Sequence, residues 1–277
     1  MGAAMGEFEE FGAAERAGWT DSDVAAQYIA HFTDAADQAM EGMIAVASPE
    51  IGQEVLDLCC GHGAMTSALC ARGCNVTGLD FSSAMLEHAA RRAPGAQFRE
   101  GDAQDLPFDD ASFDIILSNC GIMHLPDQPR ALAEVRRVLR PKGIFAMTVW
   151  FGPDISPSFR IAFGAMKAHA DPSVSAPSQP DFFQFARRDV AEEMLGEAGL
   201  HIVKHDTIDC VWHLDTPEQL FKIYSEGTVR MAMLLSAQPA SAVKEIRQAM
   251  TDAVARDHAV DGGYRVQIPA ALVIARA

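Results

Sequence analysis

Apolar residues recur along the chain in two alternating rhythms. Short unbroken apolar runs read as buried strands, and stretches with apolar positions three and four apart read as helices. Val24, Tyr28, Phe32 and Ala35-Ala36 stand at helical spacing behind a start signal at Asp21-Ser22-Asp23. Ser48-Pro49-Glu50 breaks that pattern and sets the first 50 residues off as a helical cap. From Glu54 to Trp150 strand and helix alternate strictly. The strands are Glu54–Leu58, Val76–Asp80, Ala96–Glu100, Phe113–Asn119 and Ile144–Trp150. Between them lie helices over Ala64–Ala71, from Ser82 or Ser83 with Met85, Leu86, Ala89 and Ala90 on one face, and from Asp127 and Pro129 with Leu132, Val135, Val138 and Leu139 as a stripe. Strands that are apolar on both faces and separated by helices form a parallel sheet covered on both sides, an α/β fold.

The second half is less regular. A helix over Ser158–Ala170 is expected to turn Ile161, Phe163 and Met166 inward, and Asp171–Asp181 is a Pro/Ser-rich loop. A helix over Asp189–Ala198 leads to a sixth strand, His201–Cys210, and the last strand is read over Tyr264–Ala275. The helical stretch 215–263 between them is too long for an ordinary connection, so it and 151–181 are expected to form a lid or the wall of an acceptor pocket on a domain running over 51–277.

In sheets of this kind ligands sit at the carboxyl ends of the strands, near the point where strand order reverses. Asp57, Asp80, Asp102 and Asn119 all fall at such ends. The most informative segment is EVLDLCCGHG, residues 54–63, where Gly61 and Gly63 allow close backbone approach before a helix N-terminus. A dinucleotide loop needs a third small residue, and Thr66 stands in that place. A carboxylate at Asp57 opposes a pyrophosphate but attracts an ammonium group, which fits a nucleoside bearing an amino acid. Asp80 suits two ribose hydroxyls in either cofactor class.

These blocks resemble the class I S-adenosylmethionine (SAM)-dependent methyltransferases, in particular the type 11 set that includes the ubiquinone- and menaquinone-biosynthesis enzymes. The resemblance runs from about Val55 to Thr148 through VLDLCCGHG, VTGLDFSSAML, GDAQDLPF, FDIILSNCGIMHLPD and LRPKGIF. It implies a Rossmann-like seven-stranded sheet, mostly parallel with an antiparallel last strand and helices on both faces. It implies SAM as cofactor, with S-adenosylhomocysteine (SAH) as product. Asp57, Gly61 and Gly63 would line the methionine part, with His62 offering its backbone. Asp80 would hold the ribose, and Phe81 or Met85 would pack on adenine. Asp102 would accept from the adenine amino group beside the backbone of Ala103. Asn119 would lie beneath the sulfonium, and Tyr28 would close over the cofactor. Cys59 departs from the family, which commonly has Gly there.

Methyl transfer from a sulfonium is an in-line displacement whose main demand is alignment. Where the nucleophile must lose a proton, His124 in MHLPD is the best-placed base, its alternative role being to cap or pack the following helix. The acceptor is expected to be a small, partly apolar molecule. A non-catalytic SAM-binding module and an NAD(P)-dependent oxidoreductase are the alternative readings.

Composition narrows the partners. Lys and Arg number 22 against 38 Asp and Glu, a net charge of −16 that repels nucleic acid and anionic lipid. The six cysteines show no paired metal-ligand spacing, so no metal is expected. Residues 1–10 lack a secretory signal's basic start and apolar stretch, and no apolar run is long enough to span a bilayer. A cytoplasmic monomer or homodimer without membrane contact is the expectation.

Overall fold

The computed structural model describes residues 8–277. The reading of residues 1–10 as lacking a secretory signal falls largely on residues 1–7, outside the described residues. Three helices come first: α1 Glu9–Thr20, α2 Ser22–His31 and α3 Thr33–Ala47. Asp21 caps α2 by accepting from the Asp23 and Val24 amides. The alternating region follows as β1 Glu54–Leu58, α4 Ala64–Ala71, β2 Asn75–Asp80, α5 Ser83–Arg92, β3 Gln97–Glu100, β4 Phe113–Asn119, α6 Gln128–Val138 and β5 Leu139–Trp150. Ser82 caps α5 and Asp127 caps α6, each accepting from an amide three residues on. The second half adds α7 Pro157–His169, α8 Arg188–Glu197, β6 His201–Ile208, β7 Val211–Leu214, α9 Gln219–Glu226, α10 Val229–Ser236, α11 Ala240–Asp257, β8 Ala259–Val260, β9 Gly263–Gln267 and β10 Ala270–Arg276.

Seven strands form the main sheet in the order β3-β2-β1-β4-β5-β10-β6. All pair in parallel except β10, which runs antiparallel to both β5 and β6. The α/β sheet with an antiparallel last strand is therefore present as expected. Alternate residues of each strand face opposite layers. Val55, Ile115, Leu117, Ala146 and Leu272 pack with Met40, Met43 and Ile44 of α3 and Met65 and Leu69 of α4. Leu56, Leu58, Ile116, Phe145 and Val273 join the larger core with Leu132 and Val135 of α6 and Leu195 of α8. Of the first fifty residues, α3 thus belongs to the layer covering the sheet, while α1 and α2 stand over the strand ends.

Three details differ from the sequence reading. The last strand is two strands, interrupted at Ile268-Pro269, because Pro269 has no N–H to continue a ladder. Its first part, β9, pairs with β7 and β8 in a separate three-stranded sheet. The α7 face also differs. Ser158, Phe159, Ala162 and Ala165 are buried, whereas Ile161 and Met166 are only partly buried and Phe163 is exposed. The buried Ser158 is satisfied there by Tyr224 Oη at 2.8 Å and by the Trp212 indole N–H at 3.1 Å. Among the described residues no helix is long and apolar enough to cross a membrane, and no group of three or more His, Cys, Asp or Glu could hold a metal ion.

Candidate functional site

Strand order reverses between β1 and β4, and a cavity of about 400 Å³ opens at the carboxyl ends there. Its floor is made by the loops after β1, β2 and β4, through Cys59, Gly61, Asp80, Phe81, Asn119 and Gly121. α1 and α2 contribute Glu15, Trp19 and Tyr28, and the short turn Ile122–His124 brings in His124. The far wall is mostly aromatic and aliphatic: Phe159 lies within the 151–181 segment, Tyr224 and Met231 within 215–263, and Phe182 and Phe183 just beyond the first of these.

The backbone of the floor is bent tightly. Gly61 and Gly63 have φ of 52° and 78°, and Cys59 and Cys120 share the left-handed region at 60° and 53°. An added Cβ on Gly63 would lie 2.8 Å from Ala89 Cα, so that glycine lets α4 and α5 approach. Cys59 occupies its strained position opposite Gly121, where a Cβ would lie 2.6 Å from Cys59 Cβ. The two positions are complementary: a side chain after β1 is accommodated by its absence after β4.

Asp80 is the best-anchored acid of the floor. It is buried, and its two oxygens accept separately from the Gly61 amide at 2.8 Å and the Ser82 amide at 2.9 Å. Burial raises its pKa, while those amides and His124 oppose the rise. Phe81 and Met85 lie beside it on the cavity wall. Tyr28 stacks on Phe32 with centroids 5.6 Å apart, meets Trp19 edge-on, and is raised in pKa by burial. Asn119 lines the cavity, but both ends of its amide are engaged: Nδ2 donates to Ala36 O at 2.9 Å and Oδ1 accepts from Thr148 Oγ1 at 2.6 Å. It therefore ties α3, β4 and β5 together.

Five of the residues singled out from the sequence stand outside the cavity lining. Asp57 is fully buried, its Oδ2 accepts from Thr66 Oγ1 at 2.6 Å, and its Oδ1 has no partner among the described residues. Burial pushes its carboxyl up to about 7, against the Thr66 hydrogen bond. A direct grip on an ammonium group is not what this side chain makes. It points beneath the loop, where the first turn of α4 covers it. His62 is buried with its ring edge toward Tyr28, and burial lowers its pKa to about 4. Gly63 serves the helix packing just described. Asp102 pairs with Arg16 at 2.9 Å and accepts from the Gln104 amide, and Ala103 is buried behind it. The same Arg16 guanidinium lies 4.8 Å over the Phe81 ring, so α1 spans the ground between these two residues.

The structure also brings in residues that sequence reasoning missed. Glu15, only 4% exposed, accepts from His124 Nδ1 at 2.7 Å and from the Trp19 indole N–H at 2.9 Å. Trp19 and Phe182 meet the His124 ring edge-on from two sides, at 5.5 and 5.3 Å. With Nδ1–H donated to a carboxylate, the neutral ring carries its free lone pair on Nε2. Glu15 and Trp19 stand four apart on a helix, a legible pair, but nothing local ties Glu15 to a histidine 109 positions away. Arg230, also on the cavity wall, carries no motif at all.

Residues 56–147 match a family described as "Methyltransferase domain". A demethylmenaquinone methyltransferase of Clavibacter sepedonicus is 38% identical over 111 residues, which is 39% of this chain and 45% of that protein. A demethylmenaquinone methyltransferase of Staphylococcus haemolyticus is 31% identical over 172 residues, covering 56% of this chain and 71% of that protein. The chain spans about half or less of the length of the first such relatives, between 41% and 55%. Among solved structures, the YcgJ protein of Bacillus subtilis superposes with a TM-score of 0.58 at 21% identity, over 87% of this chain and 98% of that one. That likeness is one of fold. With the sheet order, the loop after β1 and these relatives in agreement, the chain belongs to the class I SAM-dependent methyltransferases, in the ubiquinone- and menaquinone-biosynthesis-like group.

Proposed function

We propose that the chain transfers a methyl group from SAM to a small, partly apolar acceptor bound against the aromatic wall. The observation that carries this reading is Asp80, presented to the cavity at the end of β2 and fixed by one amide from each adjoining loop. Those two amides use one lone pair on each oxygen and leave others for a pair of ribose hydroxyls. Phe81 and Met85, lining the cavity beside Asp80, are the apolar surfaces available to a purine, and the open side of Gly61 supports a backbone contact to the amino-acid end. Asp57 acts indirectly, by holding α4 under that loop through Thr66.

SAM supplies an electrophilic methyl on a sulfonium with a good leaving group. The protein's task is then to align the acceptor, which contributes roughly 7–11 kcal/mol to lowering a barrier of this type. The cavity suits an aromatic ring, in keeping with the names of the relatives, whose methyl acceptor is a demethylated quinone. His124, oriented by Glu15, serves as base for an acceptor that must lose a proton, an effect of about 10²–10⁴-fold.

Calorimetric titration with SAH and with NADH tests the reading. SAH is expected to bind, and Asp80→Asn to weaken it by about tenfold or more through loss of a charged acceptor. Tighter binding of NADH, or unchanged SAH affinity in the variant, overturns it.

A further inference from the structure

Among the described residues lining the cavity, Arg230 is the one arginine or lysine, and no carboxylate is in direct contact with it. Arg230 stands in the first turn of α10 and lines the cavity with Gly227, Thr228, Val229 and Met231. Its Nη1 donates to Pro177 O at 3.2 Å, and no carboxylate among the described residues forms a salt bridge with it. The other acids of the lining besides Asp80, which the Gly61 and Ser82 amides hold, are engaged elsewhere. Glu15 is held by Trp19 and His124, and Asp181 pairs with Arg187 at 2.7 Å. The guanidinium is partly desolvated on this mostly apolar wall: burial lowers its pKa, and the charge of Glu15, which makes no salt bridge with it, opposes that fall.

A second feature converges on the same place. α10 begins at Val229, and no side chain caps it, because the Thr228 hydroxyl donates backwards to Tyr224 O at 2.8 Å. The uncapped start of α10 and Arg230 therefore lie on the same stretch of the cavity wall. Unpaired amides at a helix start favour an anion, and a guanidinium favours a planar one with two oxygens. Phe159, Phe183, Tyr224 and Met231 supply apolar surface on the same side of the cavity.

We propose that the acceptor is an aromatic acid, its ring against the phenylalanines and its carboxylate or equivalent planar anion paired with Arg230. This rests on the methyltransferase reading above and names the acceptor class for the same site. The anion could also be the carboxylate of the cofactor's amino-acid end, and the experiment separates the two sources.

SAH-saturated protein is titrated calorimetrically with 1-hydroxy-2-naphthoate and with its neutral isostere, 1-hydroxy-2-naphthamide. The acid is expected to bind about tenfold or more tightly than the amide. Arg230→Gln removes that preference while leaving SAH affinity within about twofold, and Arg230→Lys, which keeps the charge, retains part of it. Equal affinity of the two probes for the unaltered protein, or no binding of either at about 1 mM, overturns the inference. So does an Arg230→Gln variant that loses SAH affinity and keeps its acid preference, since the cofactor is then the anion's source. Failure of SAH itself to bind would instead refute the methyltransferase reading.

Discussion

Substituting Gly121 by Ala tests the pairing between the loops after β1 and β4. Gly121 has φ −102° and ψ −48°, a conformation alanine adopts freely, so the backbone offers no objection. By itself the change would stabilise by about 0.4–1 kcal/mol through the unfolded chain. The new methyl, however, lies 2.6 Å from Cys59 Cβ, 2.8 Å from Ser118 Oγ and 3.1 Å from Cys59 Sγ. Carbon atoms prefer about 3.5–4.0 Å, so the overlap with Cys59 approaches 1 Å. The serine hydroxyl can rotate, but Cys59 Cβ is fixed to a backbone already at φ 60°. Overpacking of this kind costs about 1–3 kcal/mol, leaving a net loss of about 1–2 kcal/mol. Cys59→Gly deletes the obstructing atom and relieves the left-handed strain, worth about 1 kcal/mol. The cost of Gly121→Ala should therefore fall to within about 0.5 kcal/mol of zero in the Cys59→Gly background. Urea unfolding followed by tryptophan fluorescence measures all four corners of the cycle, and SAH calorimetry reports whether the floor keeps its shape. The same cost in both backgrounds would refute the reasoning.

Other outcomes follow from the same geometry. Asp57 has a folded-state pKa raised to about 7, so its contribution to stability is complete below about pH 4 and lost as pH rises through 7. Acting alone it lowers the unfolding free energy by up to ~4 kcal/mol across that interval. Asp57→Asn should flatten this part of the urea-derived profile, and an unchanged slope would count against the assignment. Ser158→Ala leaves the Trp212 indole and the Tyr224 hydroxyl buried without their shared partner and should cost about 2–4 kcal/mol. A loss below about 0.5 kcal/mol would mean that neither group depends on it. Glu15→Gln should lower kcat by about tenfold or more with any acceptor that must lose a proton, and displace its pH profile, while SAH affinity holds. Unaltered kcat would remove Glu15 from the chemistry.

The parallel half of the fold was legible because β1, β2, β4 and β5 are largely apolar runs and α5 and α6 carry their own caps, Ser82 and Asp127. Its strand ends already mark where a ligand sits. The antiparallel half was less so. β7, β8 and β9 are short, and the pairing of β7 with β9 joins distant parts of the chain, such as Leu214 and Tyr264. α7 misled because it is apolar on more than one side, and its core face includes a serine whose partners lie 54 and 66 positions away. For the site, motif positions located the floor, and Asp80, Phe81, Met85 and Gly61 all reach it. The sign of the Asp57 environment was not readable, because the Thr66 cover depends on how α4 leaves the loop. Glu15 and Arg230 come from helices outside the nucleotide-binding core, where only tertiary placement gives a charged residue its meaning.

The three-stranded sheet also bears on how such an enzyme could change its clientele. β7 and β9 are paired antiparallel from Val211 with Gln267 to Leu214 with Tyr264, so both stems of the intervening wall leave the protein side by side. The chain between them enters and leaves through this one pair of strands, while its helices also pack on α1, α2 and α7. A graft that preserves those rungs would exchange the part of the wall that carries Tyr224 and Met231, against the fixed Phe159, Phe182 and Phe183 and the seven-stranded platform below.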